Sequence, residues 1–218
     1  MKKISFFFAG ASLSVMAFSG CALNYDFTAM SYASGGDVIE HISVDVRDRD
    51  VRIEVSNDNQ VHIDYFNSDE EYLSISRSGT ILTAQLQYDK NWTDYIGTKK
   101  SSSDDRKITI RIPNSTIYSL SVNTTNENIT VNSVHVLDSM SLDSNGGDVV
   151  CNSAGAEKSI SLTSKNGDIR GTIAGSKADF AISCSIKKGE SNLKDTSGGP
   201  KTLSVNCNNG DIKLSFES

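Results

Sequence analysis

Aspartate, histidine and cysteine are the residues of this chain that could ligate a metal, attack a substrate or carry a covalent group. Three aspartates recur at matching turns: Asn145-Gly146-Gly147-Asp148, Asn166-Gly167-Asp168 and Asn209-Gly210-Asp211. A column of carboxylates suits a hard cation such as calcium. The glycine-rich repeat of calcium-binding rolls is tighter, however, and carries an extra glycine, and Lys188 stands near the position of a fourth aspartate. The column therefore reads as turn chemistry, each Asp accepting backbone hydrogen bonds at a corner, and no metal or cofactor is expected. His41, His62 and His135 have no ligand spacing, and no HExxH, CxxC, GxSxG or phosphate-loop pattern occurs. His41 and His62 fall at outward strand positions and read as solvated. No catalytic residue is expected.

Cys21 offers covalent chemistry of another kind. Met1-Lys2-Lys3 precedes an uncharged, largely apolar run from Ile4 to Phe18, followed by Ser19-Gly20-Cys21. A basic start, an apolar stretch and small residues before a cut site define a secretory leader over residues 1–20. The run is shorter than the roughly 20 apolar residues of a membrane-spanning helix. Cysteine directly after Ser-Gly is similar to the bacterial lipobox, with Phe18 where leucine is usual, and predicts that Cys21 is acylated and begins the mature chain. Each buried methylene of such a lipid contributes about 0.8 kcal/mol, so the protein would sit on a membrane without crossing it. Ala22 after the cysteine, in place of Asp, favours the outer membrane if the cell is Gram-negative. Residues 21–36, ending in Ser34-Gly35-Gly36, read as the lipidated N-terminus and a tether.

Cys151, Cys184 and Cys207 remain, an odd number for an exported chain. Cys184 and Cys207 fall in one inward column, but parallel Cβ vectors ~4.8 Å apart suit a disulfide poorly. Buried thiols are expected. Tyr88, Trp92 and Tyr95 cluster in the longest polar stretch, roughly Asp89 to Arg106. They read either as a ligand-contact tip or as a loop folded back onto the body.

The elements that position these residues follow from period-two alternation. Ile42, Val44, Val46, then Val51, Ile53, Val55, then Val61, Ile63, Tyr65 alternate with polar residues, as in strands with one buried face. Breaks fall at Arg47-Asp48-Arg49-Asp50 and Ser56-Asn57-Asp58-Asn59. Leu73–Ile75, Ile81–Tyr88 and Ile108–Pro113 continue the pattern. Residues 37–115 thus predict an N-terminal layer of β-strands.

Residues 116–218 repeat. Leu120-Ser121-Val122, Met140-Ser141-Leu142, Ile160-Ser161-Leu162, Phe180-Ala181-Ile182 and Leu203-Ser204-Val205 are one unit, spaced 20, 20, 20 and 23 residues apart. Thr124, Ser144, Ser164, Cys184 and Cys207 extend the inward columns, while the central Ser or Ala points out. The Asn-Gly corners are expected to bend the chain through positive φ. Short units of this kind bury their faces only by stacking. The expected fold is all-β: the strand layer leads into a parallel β-solenoid with ~20-residue rungs, and the copy at Phe180 departs from the pattern.

Alternating strands, a strand ending in proline at Pro113, and rungs of the form hydrophobic-Ser-hydrophobic followed by Asn-Gly-Asp-Ile resemble the bacterial "putative adhesin" β-repeat family. The resemblance covers residues 37–218. It implies a domain of unknown function carried by envelope proteins and lipoproteins, and it brings no catalytic residues.

Composition narrows the function. The formal charge is −6, falling to −8 once Lys2 and Lys3 leave with the leader, and aromatics make up 7%. That argues against nucleic-acid binding, which needs cationic and stacking surface. The expectation is a non-enzymatic, lipid-anchored envelope protein, an adhesin or binding module with a glycan or an envelope or host protein as ligand. The outward ladder Ser121/Asn123, Ser141/Asp143, Ser161/Thr163, Ser204/Asn206 is either its binding face or simply a solvated sheet. An envelope-stress or regulatory lipoprotein that binds another envelope protein is the second reading. A carbohydrate-active enzyme on a β-helix is the third.

Overall fold

The computed structural model describes residues 27–88 and 102–217. The leader, Cys21, Trp92 and Tyr95 lie outside them. The chain is all-β, arranged as two mixed sheets. The first runs, neighbour to neighbour, through β1 (Thr28–Ala33), β4 (His62–Asn67), β7 (Lys107–Ile112), β3 (Asp50–Val55), β9 (Ile129–Asn132), β12 (Val149–Ala156), β14 (Ile169–Ala174) and β17 (Ile212–Glu217), with β10 (His135–Val136) beside β12. The second runs through β15 (Phe180–Lys188), β16 (Lys201–Asn209), β13 (Ser159–Ser164), β11 (Ser139–Ser144), β8 (Ser119–Thr124), β2 (His41–Asp45), β6 (Ile81–Tyr88) and β5 (Glu71–Ser78).

Alternation decides which side chains meet. The inward columns stack in parallel register: Ile42 on Leu120, Leu120 on Met140, Met140 on Ile160 and Ile160 on Leu203. Opposite them, Ile129, Val149, Ile169 and Ile212 stack in the first sheet. All of these are buried in one core, and burying each such side chain contributes about 1.5–3 kcal/mol. The central pairings are parallel. Antiparallel pairs occur at the N-terminal end, where β1 and β7 flank β4 and where β5 lies on β6. β2 and β3 join the same stack as β8 and β9, so strands from both sides of residue 115 share both sheets.

The last two copies stack out of sequence order. Leu162 lies between Leu142 and Val205, not beside Ile182. β16 packs against β13, and β15 lies outside it. Turn chemistry explains the order. Asn209-Gly210-Asp211 repeats the corner of Asn166-Gly167-Asp168 and docks on it, whereas the Phe180 copy lacks that corner. Its register also differs, with Leu203 opposite Ile182 and Cys184 opposite Val205. Cys184 and Cys207 are therefore not direct partners, and all three described cysteines are free thiols.

The C-terminal end of the stack is closed by the chain itself. Residues 190–192 run beside β17, and Asp195 and Thr196 bond to β15. Residues 190–196, between β15 and β16, form this cover.

Candidate functional site

The corner column holds the rungs together through three ladders. Each acidic or amide side chain accepts from the next rung's backbone: Asp148 N–H to Asn128 Oδ1 (2.8 Å), Asp168 N–H to Asp148 Oδ1 (2.9 Å), Asp211 N–H to Asp168 Oδ1 (2.8 Å) and Glu190 N–H to Asp211 Oδ1 (3.0 Å). Asn166 Nδ2 donates to Asn145 O at 2.9 Å, and Asn209 Nδ2 to Asn166 Oδ1 at 2.8 Å. Inside, the buried hydroxyl of Ser144 donates to Glu127 O, that of Ser164 to Gly147 O, and the Cys207 thiol reaches Gly167 O at 3.4 Å.

Glycine is required at these corners by closeness. Gly147 and Gly167 do not adopt positive φ, contrary to expectation. A Cβ would instead sit 2.2 Å from Glu127 O at Gly147, and 2.3 Å from Gly147 O at Gly167. Gly210 and Gly189 continue the same stack, at 2.4 Å from Gly167 O and 2.1 Å from Gly210 O. The outer aspartate oxygens are engaged as well, Asp148 Oδ2 by Arg170 at 3.1 Å and Asp211 Oδ2 by Lys213 at 2.7 Å. The Lys213 ammonium, ahead of the Glu190 N–H, holds the Asp211 carboxyl below its usual range.

The other titratable groups are dispersed. His62 meets Asp58 at 2.9 Å, and the Gln60 N–H, then His62 and Ser56, bring the Asp58 carboxyl down to about 2. His135 binds Glu157 at 2.7 Å, and Lys201 binds the other oxygen of Glu157 at 3.1 Å. Among the described residues no group of three His, Cys, Asp or Glu could hold a metal. Burial pushes the Cys151 thiol up to about 12, so it is no nucleophile near neutrality. Tyr88 ends β6 partly exposed. Burial, then Glu71, raises its phenol to about 12. Trp92 and Tyr95, which cluster with it in the sequence, lie outside the described residues. A groove of roughly 450 Å³ opens between Ser34–Ile39, Asn59–Val61 and Pro113. Its one carboxylate, Asp37, pairs with Arg77 at 3.1 Å.

The outward face of the second sheet is a different kind of surface. Its central column reads Ser76, Thr83, Ser43, Ser121, Ser141, Ser161, Ser204, Ser183, one hydroxyl from every strand, each directly opposite the next. At ~4.8 Å per strand the row extends over roughly 34 Å. None of these hydroxyls has a side-chain hydrogen bond among the described residues, and all are exposed or half-exposed. A flanking column carries Asp45, Asn123, Asp143, Thr163 and Asn206, with Asn123 Nδ2 donating to Asp45 Oδ1 at 2.8 Å. The other flank carries Ile81 beside His41, whose Nδ1 lies 2.8 Å from Ser119 Oγ. The His41 ring packs on Tyr118, centroids 6.1 Å apart, and Ile81 and Tyr118 are exposed. The surface thus offers rows of donor–acceptor groups, with the exposed rings of Tyr118 and, on β5, Tyr72 at its margins.

The repeat alignment identified Ser121, Ser141, Ser161 and Ser204 in this row. It missed Ser43, Thr83 and Ser76, and it placed Ala181 where the Phe180 copy contributes Ser183. Ile42-Ser43-Val44 has the same form as Leu120-Ser121-Val122 and is the signal that would have found the first of them.

No curated protein matches the chain. The fold is shared with a crystal structure described as a "putative cell adhesion protein" from Clostridium sporogenes, at 9% identity and a TM-score of 0.58 over 87% of this chain and 100% of that one. A "putative adhesin" from Bacteroides fragilis is 15% identical with a TM-score of 0.36, over 88% of this chain and 97% of that one. The family model described as Toastrack DUF4097 matches residues 39–218, which include every buried column and the hydroxyl row, and the chain belongs to that family.

Proposed function

We propose that this protein is a non-enzymatic binding module of the cell envelope, held on a membrane through a lipid on Cys21, with the outward face of its second sheet contacting a glycan. The observation that carries this reading is the unbroken row of eight in-register hydroxyls with no side-chain partner among the described residues. A hydroxyl both donates and accepts, so a row of them complements a polymer whose repeating units also bear hydroxyls. Tyr118 supplies a ring against which a sugar face can stack. The description of the Clostridium sporogenes fold neighbour as a "putative cell adhesion protein" supports the binding role. The expected parallel solenoid of ~20-residue rungs belongs to the same reading, because in-register stacking keeps such a face flat.

Adherence of whole cells tests it. Cells carrying the native chain should adhere to a glycan-coated surface, and cells carrying Ser121→Glu with Ser161→Glu should lose most of that adherence while retaining the protein in their membranes. Undiminished adherence by the double variant would refute the face as the contact.

A further inference from the structure

The two sheets end in four outer strands: β1 and β17 in the first, β5 and β15 in the second. An outer strand exposes unpaired N–H and C=O groups that template strand addition unless something blocks them. At β17, Ile212 N–H donates to Glu190 O (2.8 Å) and Leu214 N–H to Asn192 Oδ1 (3.0 Å), while Asn192 N–H donates to Ile212 O (3.1 Å). At β15, Ile182 N–H donates to Thr196 O (3.0 Å) and Cys184 N–H to Asp195 Oδ1 (2.7 Å). β5 carries charge instead: Glu71 pairs with Arg49 at 3.2 Å and Arg77 with Asp37 at 3.1 Å.

β1 has neither protection. Its sequence, Thr28-Ala29-Met30-Ser31-Tyr32-Ala33, contains no charge, no proline and no glycine. One side is fully paired with β4, from Thr28 opposite Asn67 to Ala33 opposite His62, and the other side meets no described strand. Across the core, β5, the last strand of the second sheet, packs against β4. Met30 and Tyr32 face the core but are only half-buried.

We propose that β1 is a dimer edge: two copies of this chain pair β1 with β1, antiparallel, extending the first sheet across both molecules. A second copy fits for two reasons. The chain is acidic, at −6, so two copies approach most readily along an uncharged strip, and β1 is one. A two-fold axis also closes both exposed edges in a single contact. Directly opposed residues in an antiparallel pair lie on the same face, so Ser31 is placed opposite Ser31, Met30 opposite Tyr32 and Ala29 opposite Ala33. The two half-buried side chains of each copy then cover those of the other, with a thioether against an aromatic ring.

The register makes the test specific. The full chain, purified in detergent, should sediment as a dimer. Ser31→Lys and Ser31→Glu, each alone, set like charges face to face and should each weaken association at least several-fold, and mixing the two variants should restore it. That restoration also shows that both variants fold. Oxidised Ser31→Cys should give a covalent dimer, whereas Ala29→Cys should do so only when mixed with Ala33→Cys. A monomeric native chain, a dimer that survives both charge variants, or a covalent dimer from Ala29→Cys alone would each overturn the proposal.

Discussion

Replacing Gly167 with alanine should loosen the corner column at its centre. The new Cβ would lie 2.3 Å from Gly147 O, 2.4 Å from its carbonyl carbon and 2.8 Å from Asp148 N. All three are backbone atoms of the neighbouring rung, so no side chain can swing away. Restoring normal carbon contacts needs a withdrawal of roughly 1 Å. Three hydrogen bonds cross that gap or depend on it: Gly167 N–H to Ser164 Oγ at 2.9 Å, Ser164 Oγ to Gly147 O at 3.0 Å and Asp168 N–H to Asp148 Oδ1 at 2.9 Å. At about 1 kcal/mol each they total about 3 kcal/mol. The lower chain entropy of alanine in the unfolded state returns about 0.4–1 kcal/mol. The net loss is therefore about 2–3 kcal/mol, read from a urea titration followed by far-UV circular dichroism. Gly198→Ala is the control: nothing lies within 4 Å of its Cβ and its φ is not positive, so the change should cost nothing and add at most about 0.4–1 kcal/mol. A loss under about 0.5 kcal/mol at Gly167 would refute the close-approach account of the corner.

Leu162→Ala, between Leu142 and Val205, should cost about 2–5 kcal/mol, and Ser161→Ala, on the outward row, under about 0.5 kcal/mol. Equal losses would contradict the assignment of faces. The fully buried Cys151 thiol has its pKa raised by desolvation from 9.0 to about 12. Because the folded value lies above the unfolded one, the associated stability is complete below pH 9 and is lost as pH rises toward 12, at about 1.4 kcal/mol per pH unit. Cys151→Val should therefore flatten the alkaline limb of the stability curve, and parallel limbs would contradict this. Cys21→Ser should abolish detergent partitioning, while unchanged membrane association would exclude a lipid on Cys21.

Period-two alternation and the 20-residue spacing made most of the architecture readable from the residues. The inward columns Leu120/Met140/Ile160 and Val122/Leu142/Leu162 stack as their alignment requires. Rung order was not readable from spacing alone, because the copies at Phe180 and Leu203 carry the same hydrophobic triplet. The distinguishing signal lay at the corner, where Asn209-Gly210-Asp211 matches Asn166-Gly167-Asp168 and Lys188-Gly189-Glu190 does not. Gly189 looked like a departure from the pattern yet keeps the close approach to Gly210 that the column demands. The closure of the C-terminal end was hidden for another reason. Glu190, Asn192, Asp195 and Thr196 show no alternation, and their role depends on edges created only when β15 and β17 are in place. The extent of the hydroxyl row was obscured because Ser43, Ser76 and Thr83 do not fall on the 20-residue spacing of the later copies.

Binding of the purified full chain to an array of bacterial and host glycans tests the central claim most directly. The native chain is predicted to bind a subset of polymeric glycans. Ser121→Glu with Ser161→Glu should abolish that binding with no change in the unfolding midpoint. Arg52→Glu makes the same change in net charge at an exposed position of β3, in the other sheet, and should leave binding intact. Binding that survives the double variant, or no binding to any glycan on the array, would contradict a glycan-contacting face on the second sheet.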